Sequence, residues 1–357
     1  MDVSKVFSET ASSAPSEIPG SYVYSILPIE GERLAALTSG DELLFLDKSG
    51  LKTVSRHQDD VPKLVSCMVG CEDGKNVVIC AGGDGLVAVF DTRADQQVSY
   101  FHIDRAVTAL AYHDHGVAVG SEVAHSQSTV SIWDIRQNRM RWQSSENHDD
   151  ITALQYHPSD HRILLSGGDD GLVGVFDTTI QDENDSLIQA FDHGPIHKAG
   201  FLSDTAIYAL SADQQFSIYP LNTPEANDGG VIQPVLFGDL RPTTQCDYVI
   251  DILRDLHQPY VVAGSNLSDP HIDLIPLTTN PRFSLSTQNV VRVQRAHGEE
   301  IVRSAYLDRS AETIFTAGED GCVKSFRDTD RSVEAAEQRG SSVKETKKGK
   351  GGRFKPY

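Results

Sequence analysis

Apolar and polar positions alternate along this chain in short bursts, separated by glycine, aspartate and serine. The most regular stretch reads Ser-Gly-Gly-Asp-Asp-Gly-Leu-Val-Gly-Val-Phe-Asp over Ser166–Asp177. A period of two marks a strand. Asp-Gly between two such runs predicts a tight hairpin, because glycine tolerates the positive φ the turn requires. Around this turn the pattern predicts strands at Ile151–His157, Ile163–Gly167 and Leu172–Asp177. The block recurs. Phe90, Trp133, Phe176 and Tyr219 stand 43 residues apart in succession, as do Asp41 and Asp84, and Asp170 and Asp213. Asp213 and Asp320 are 107 residues apart, 21 more than two periods. One degenerate block is therefore expected between them, with strands at Tyr248–Leu253, Tyr260–Gly264 and Ile272–Leu277. The excess is assigned to insertions at Leu221–Gly230 and Thr278–Ser286.

A period in the low forties with several short strands per repeat predicts an all-β ring of small antiparallel sheets, a seven-bladed β-propeller spanning residues 21–330. Residues 1–20 read as a polar leader. Within it Val3–Phe7 is β-capable and is expected to supply the outer strand that the last blade lacks, so that the chain ends clasp. Residues 331–357 carry too little apolar surface to offset the entropy of ordering and are expected to form a disordered basic tail.

Composition narrows the function classes. No apolar run approaches the roughly 18 residues of a membrane span, and the first twenty residues lack the apolar core of a secretory signal. The five cysteines include no C-x-x-C pair, and Cys67 and Cys71 have no second ligand pair, so neither a metal nor another cofactor is expected. Their pattern suits a reducing intracellular compartment. Nucleophile elbows, phosphate loops and His-Glu-x-x-His are absent, which argues against an enzyme.

Net charge is −20, unevenly spread. Six of the basic residues and one acid lie in 344–357, leaving 25 basic and 50 acidic residues in 1–343, a net of about −25. In a propeller, the loops entering each blade and the turns of each central hairpin share one face, the top. Asp59, Asp60, Asp149, Asp150, Asp169, Asp170, Glu299, Glu300, Glu319 and Asp320 all fall in such segments. Turn geometry accounts for single aspartates but not for doubled acids. The expectation is an acidic rim that attracts a basic protein segment and repels nucleic acid, with nucleic-acid contact left to the tail.

One clear Trp-Asp closes a block, Trp133-Asp134; elsewhere it degrades to Leu46-Asp47, Phe90-Asp91 and Phe176-Asp177. On these residues and the period, the chain resembles the WD-repeat proteins over nearly its whole length. Its Lys/Gly tail, ending Arg353-Phe354-Lys355-Pro356-Tyr357, resembles the family of WD-repeat-containing protein 89. The resemblance implies a non-enzymatic protein of poorly defined role in the nucleus; a monomer, nuclear or cytoplasmic, is expected. By analogy with other acidic WD-repeat proteins, it also implies an escort or assembly factor for a ribosomal protein or a histone. It implies hydrogen-bond chains within blades, for which blade four offers Asp170, His148 and Ser166, blade seven Asp320, His297 and Thr316, and blade three Trp133 without a loop histidine. Trp133-Asp134-Ile135-Arg136, echoed by Phe90-Asp91-Thr92-Arg93, resembles the box by which WD-repeat receptors dock on a cullin-type ubiquitin-ligase adaptor. That alternative would assign Arg93 and Arg136 to the bottom face; the blander role for each is bracing a neighbouring blade through a carboxylate.

Overall fold

The computed structural model describes residues 1–70, 76–222, 233–254, 258–267, 269–279 and 282–328. They form five four-stranded antiparallel sheets and one sheet of nine strands. Blade four shows how the pattern becomes structure. Its strands Ile151–Tyr156, Ile163–Gly168, Leu172–Asp177 and Leu187–Asp192 lie in that order across the sheet. The two central strands are buried almost end to end, since a neighbouring sheet covers each face, whereas the outer strand Leu187–Asp192 is mostly exposed. That is why second and third strands read as apolar runs and the fourth is hard to see in sequence.

The hairpin glycines behave as the Asp-Gly signal requires. Gly85 takes φ +76°, and a Cβ there would stand 2.3 Å from the Ile103 carbonyl oxygen, so no other residue fits without a shift.

The nine-stranded sheet is two blades joined by one strand, with the two-residue strand Ser284–Leu285 paired beside His271–Thr278 as the ninth. Tyr248–Leu253, Tyr260–Ser265, His271–Thr278 and Val290–Gln294 make the sixth blade, and Val302–Asp308, Thr313–Gly318 and Val323–Asp328 the seventh. The joining strand is β1, Val3–Ser13. Its first half, Val3 to Phe7, runs parallel to Val290–Val293 on the edge of blade six. Its second half, Phe7 to Ser13, runs antiparallel to Val323–Asp328 and supplies the outer strand of blade seven. The leader does close the ring, but not through the segment the sequence favoured. Beyond the buried Phe7 the segment is polar, and an outer strand can be, because it contributes backbone pairing while its faces stay largely wet. Apolar Val3 to Phe7 instead packs beside the valines of blade six.

The rest of the leader is also anchored. The Ser16 hydroxyl donates to the fully buried Glu42 carboxylate, which also accepts from Arg56 Nη1 and, at 3.2 Å, from Thr38 Oγ1. Glu42 is thus an internal charge and no part of an acidic rim. The expected tail at 331–357, and most of the insertion assigned to Leu221–Gly230, lie outside the described residues.

Apolar clusters fill the gaps between successive blades, and one of them joins Val23, Leu34 and Leu44 of the first blade to Phe315, Ala317 and Val323 of the last. The ring is therefore closed by core packing as well as by β1. The first strands of all seven blades line a single central cavity of about 420 Å³. Among the described residues no helix is long and apolar enough to cross a membrane.

Candidate functional site

Each blade ties its entry loop to its central hairpin turn, which fixes both on the top face. Lys63 N donates to Asp84 Oδ2 at 2.9 Å, His148 N to Asp170 Oδ2 at 3.2 Å, and Glu319 N to the Ile301 carbonyl at 2.9 Å. The acids expected on the rim divide by what they touch.

Blade four carries a crowded group. Asp169 N donates to the Asp150 carbonyl at 2.9 Å, bringing the entry loop with Asp149 and Asp150 against the turn with Asp169 and Asp170. Burial first, and then the charges of Asp149, Asp150 and Asp170, push the Asp169 carboxyl above the ordinary aspartate range. Asp150 and Asp170 also hold the backbone: Oδ1 of Asp150 accepts from Val123 N at 2.7 Å, and Oδ1 of Asp170 from Leu172 N at 2.9 Å.

Blade seven differs. Glu299 and Glu300 are exposed and have no ion pair among the described residues. Glu319 and Asp320 are spoken for. Arg303 clasps Glu319 through Nη2 and through Nε at 2.8 Å. Asp320 takes His297 Nδ1 at 2.6 Å and Lys324 Nζ at 3.1 Å. On blade two, Asp59 is exposed, and Asp60 stands 3.9 Å from His57 Nδ1.

Exposed leucines lie beside these acids. Leu64, 76% exposed and at φ +53°, follows Asp59 and Asp60; Leu172, 42% exposed, follows Asp169 and Asp170. Leu267, 77% exposed, follows Asn266, whose Nδ2 donates to the Glu299 carbonyl at 3.1 Å.

The central cavity holds charges of both signs, Asp251 among them. Lys198 and Arg303, from the first strands of blades five and seven, line the central cavity, with Lys198 Nζ 3.9 Å from Asp251 Oδ2. Sequence reading missed them because they come from separate repeats and converge only when the ring closes.

The residues assigned to internal hydrogen-bond chains part company. His297 bridges Asp320 and Thr316, with Nε2 at 2.7 Å from Thr316 Oγ1, and its side chain is fully buried. His148 and Ser166 form no such chain. His148 meets Asp170 only through its backbone N–H, and Ser166 Oγ is buried with no hydrogen-bond partner among the described residues. Phe176 has no indole N–H to offer that hydroxyl. Trp133 donates to Ser131 Oγ at 3.0 Å and stacks on Phe101, ring centroids 4.9 Å apart.

On the opposite face, Arg93 and Arg136 curl back on the aspartate two residues earlier instead of bracing a neighbouring blade. Arg93 Nη2 lies 2.8 Å from Asp91 Oδ2, and Arg136 Nε 3.7 Å from the buried Asp134, which Arg141 also holds. Arg162 repeats the arrangement with Asp160 in a turn, and Arg241 with Asp239 at the start of the short helix Leu240–Thr244, so it is a device of local chain geometry.

Among the described residues, one group of three metal-capable side chains converges: Cys246, His271 and Asp273, all buried. Burial pushes the Cys246 thiol up to about 12, which unsuits it as a nucleophile.

With the geometry in place, the comparisons are specific. Residues 142–177 match the family described as WD domain, G-beta repeat. An uncharacterized WD repeat-containing protein of Saccharomyces cerevisiae is 30% identical over 298 residues, 82% of this chain and 74% of its own length. A second, from Schizosaccharomyces pombe, is 28% identical over 323 residues, covering 86% and 95%. The WD repeat-containing protein 89 homolog of Dictyostelium discoideum is 22% identical over 313 residues, covering 83% and 80%. Repeated four-stranded blades around one cavity, the repeat match and the length of these alignments agree: the chain belongs to the family of WD repeat-containing proteins.

Proposed function

We propose that this protein is an interaction scaffold whose top face captures a basic segment of a partner protein across its rim. WD repeat-containing proteins generally serve as protein-interaction scaffolds, so the proposal concerns which surface works and on what. The observation that carries it is the blade-four group, where the entry loop with Asp149 and Asp150 is bonded to the turn with Asp169 and Asp170, and where burial first, and then the three neighbouring charges, raise the Asp169 carboxyl close to the exposed Leu172. Four carboxylates held this close repel one another, and a lysine or arginine side chain would relieve that repulsion. Leucine supplies the apolar contact that charge alone does not. Ribosomal proteins and histones are the kinds of partner with the required charge.

The test replaces acids whose side chains hold little structure: Asp59→Asn, Asp169→Asn, Glu299→Gln and Glu300→Gln in one variant. Basic proteins co-purifying with the unaltered protein should be released between low and roughly 0.3 M salt, as screening predicts. The variant should retain them at least about tenfold less well. Equal recovery from both proteins, measured by quantitative mass spectrometry, would sink the reading. No observation favours adaptor docking through Arg93 and Arg136: Arg93 is held by Asp91 at 2.8 Å, and Arg136 Nε stands 3.7 Å from Asp134.

A further inference from the structure

Blade six contains a mixed-donor cluster that no other blade repeats among the described residues. We propose that Cys246 Sγ, His271 Nε2 and Asp273 Oδ2 bind a zinc ion, with a fourth position left to water. The three ligand atoms lie within 4.8 Å of one another. Sγ of Cys246 is 3.9 Å from Nε2 of His271, which is 3.6 Å from Oδ2 of Asp273. Zinc bonds of about 2.3 Å to sulfur and about 2.0–2.2 Å to nitrogen and oxygen set tetrahedral ligand atoms about 3.3–3.6 Å apart. A contraction of a few tenths of an ångström brings the Cys246–His271 and His271–Asp273 pairs to that spacing, and the Cys246–Asp273 pair, within 4.8 Å, has at most about 1.2 Å to close.

The surroundings orient the ligands as a metal centre needs. His271 and Asp273 are two apart on the strand His271–Thr278, so their side chains leave the same face. His271 Nδ1 donates to the Asp269 carbonyl at 2.5 Å, which leaves Nε2 with its lone pair toward Cys246 and Asp273. At 3.6 Å, Nε2 and the Asp273 carboxylate are too far apart for a hydrogen bond. Two acceptors thus face one another across a gap that a cation would fill. Arg292 holds Asp273 from behind, with Nε 2.8 Å from Oδ1 and Nη2 2.7 Å from Oδ2, leaving each oxygen a further lone pair. Thiolate, imidazole and carboxylate together suit zinc better than calcium or magnesium, which prefer oxygen. The site was invisible in sequence because its single cysteine has no C-x-x-C partner and its histidine lies 25 residues away.

The full-length protein, stripped of metal and titrated with cobalt(II) as a spectroscopic stand-in, should take up one equivalent. Thiolate-to-cobalt charge transfer should appear in the near ultraviolet with tetrahedral bands in the visible, and zinc should bleach both. Cys246→Ala should abolish the charge-transfer band, Cys67→Ala should leave it, and His271→Gln should weaken zinc binding at least about tenfold. Absence of the band in the folded, unaltered protein would overturn the assignment, leaving a thiol–imidazole contact. So would its persistence in Cys246→Ala, which would place the metal on another cysteine.

Discussion

Deleting residues 2–13 should lower the melting temperature by about 10 °C and make the protein self-associate. The strand removed pairs with Val290–Val293 on one side and with Val323–Asp328 on the other, so its loss opens both edges. Backbone pairing alone would not produce so large an effect. Ordering costs about 1–2 kcal/mol per residue, which offsets much of what the ladders contribute. The decisive term is Phe7, only 7% exposed, in the cluster with Ile250, Val293, Val302 and Phe326 that seals blades six and seven. Truncating a core phenylalanine costs about 3–5 kcal/mol, and at about 2–4 °C per kcal/mol in a domain of this class Phe7→Ala should reproduce most of the shift. The bare edge of Val323–Asp328 would then be a template for pairing with another copy. A change below about 2 °C in calorimetry, with the deleted protein still monodisperse, would show that blade seven closes without β1.

The repeat was legible because it rests on local chemistry. The turn before Leu172 needs an Asp and a Gly, and the strands after it need β-branched and aromatic residues, wherever they occur in the ring. The degenerate sixth blade was placed within a residue by the same signals, its strands running Tyr248–Leu253, Tyr260–Ser265 and His271–Thr278. The outer strands were not legible, because beyond its buried Phe7 a mostly wet strand such as Phe7–Ser13 carries no apolar period. The candidate site was half legible. Doubled acids can be read from sequence, but what neutralises them cannot. Glu319 and Glu300 look alike in sequence, yet only Glu319 meets Arg303. Equally, His148 and His297 precede similar acidic pairs, and only His297 turns its ring inward. Lys198, Arg303 and the Cys246–His271–Asp273 group are products of ring closure and strand pairing, and no window of sequence contains them.

His297→Ala should cost about 3 kcal/mol at neutral pH, and the cost should shrink in acid. Removing the imidazole leaves the buried Thr316 hydroxyl without its partner, opens a cavity and strips Asp320 of its nearest donor. The pH dependence follows from Asp320. Burial raises its carboxyl, but the His297 hydrogen bond and charge, the Cys322 N–H and Lys324 outweigh burial and hold it at about 2. A carboxylate whose folded value lies below its unfolded one stabilises fully above the unfolded value, near 4. That contribution, about 1–2 kcal/mol here, is lost as pH falls from there toward 2. Urea unfolding of the native protein should therefore show stability falling across that window. His297→Ala, lacking the main donor, should show a shallower fall, so that the two curves converge. Parallel curves from pH 7 to pH 2.5 would mean that Asp320 owes its acidity to Lys324 and Cys322, and that the bridge through His297 is packing alone.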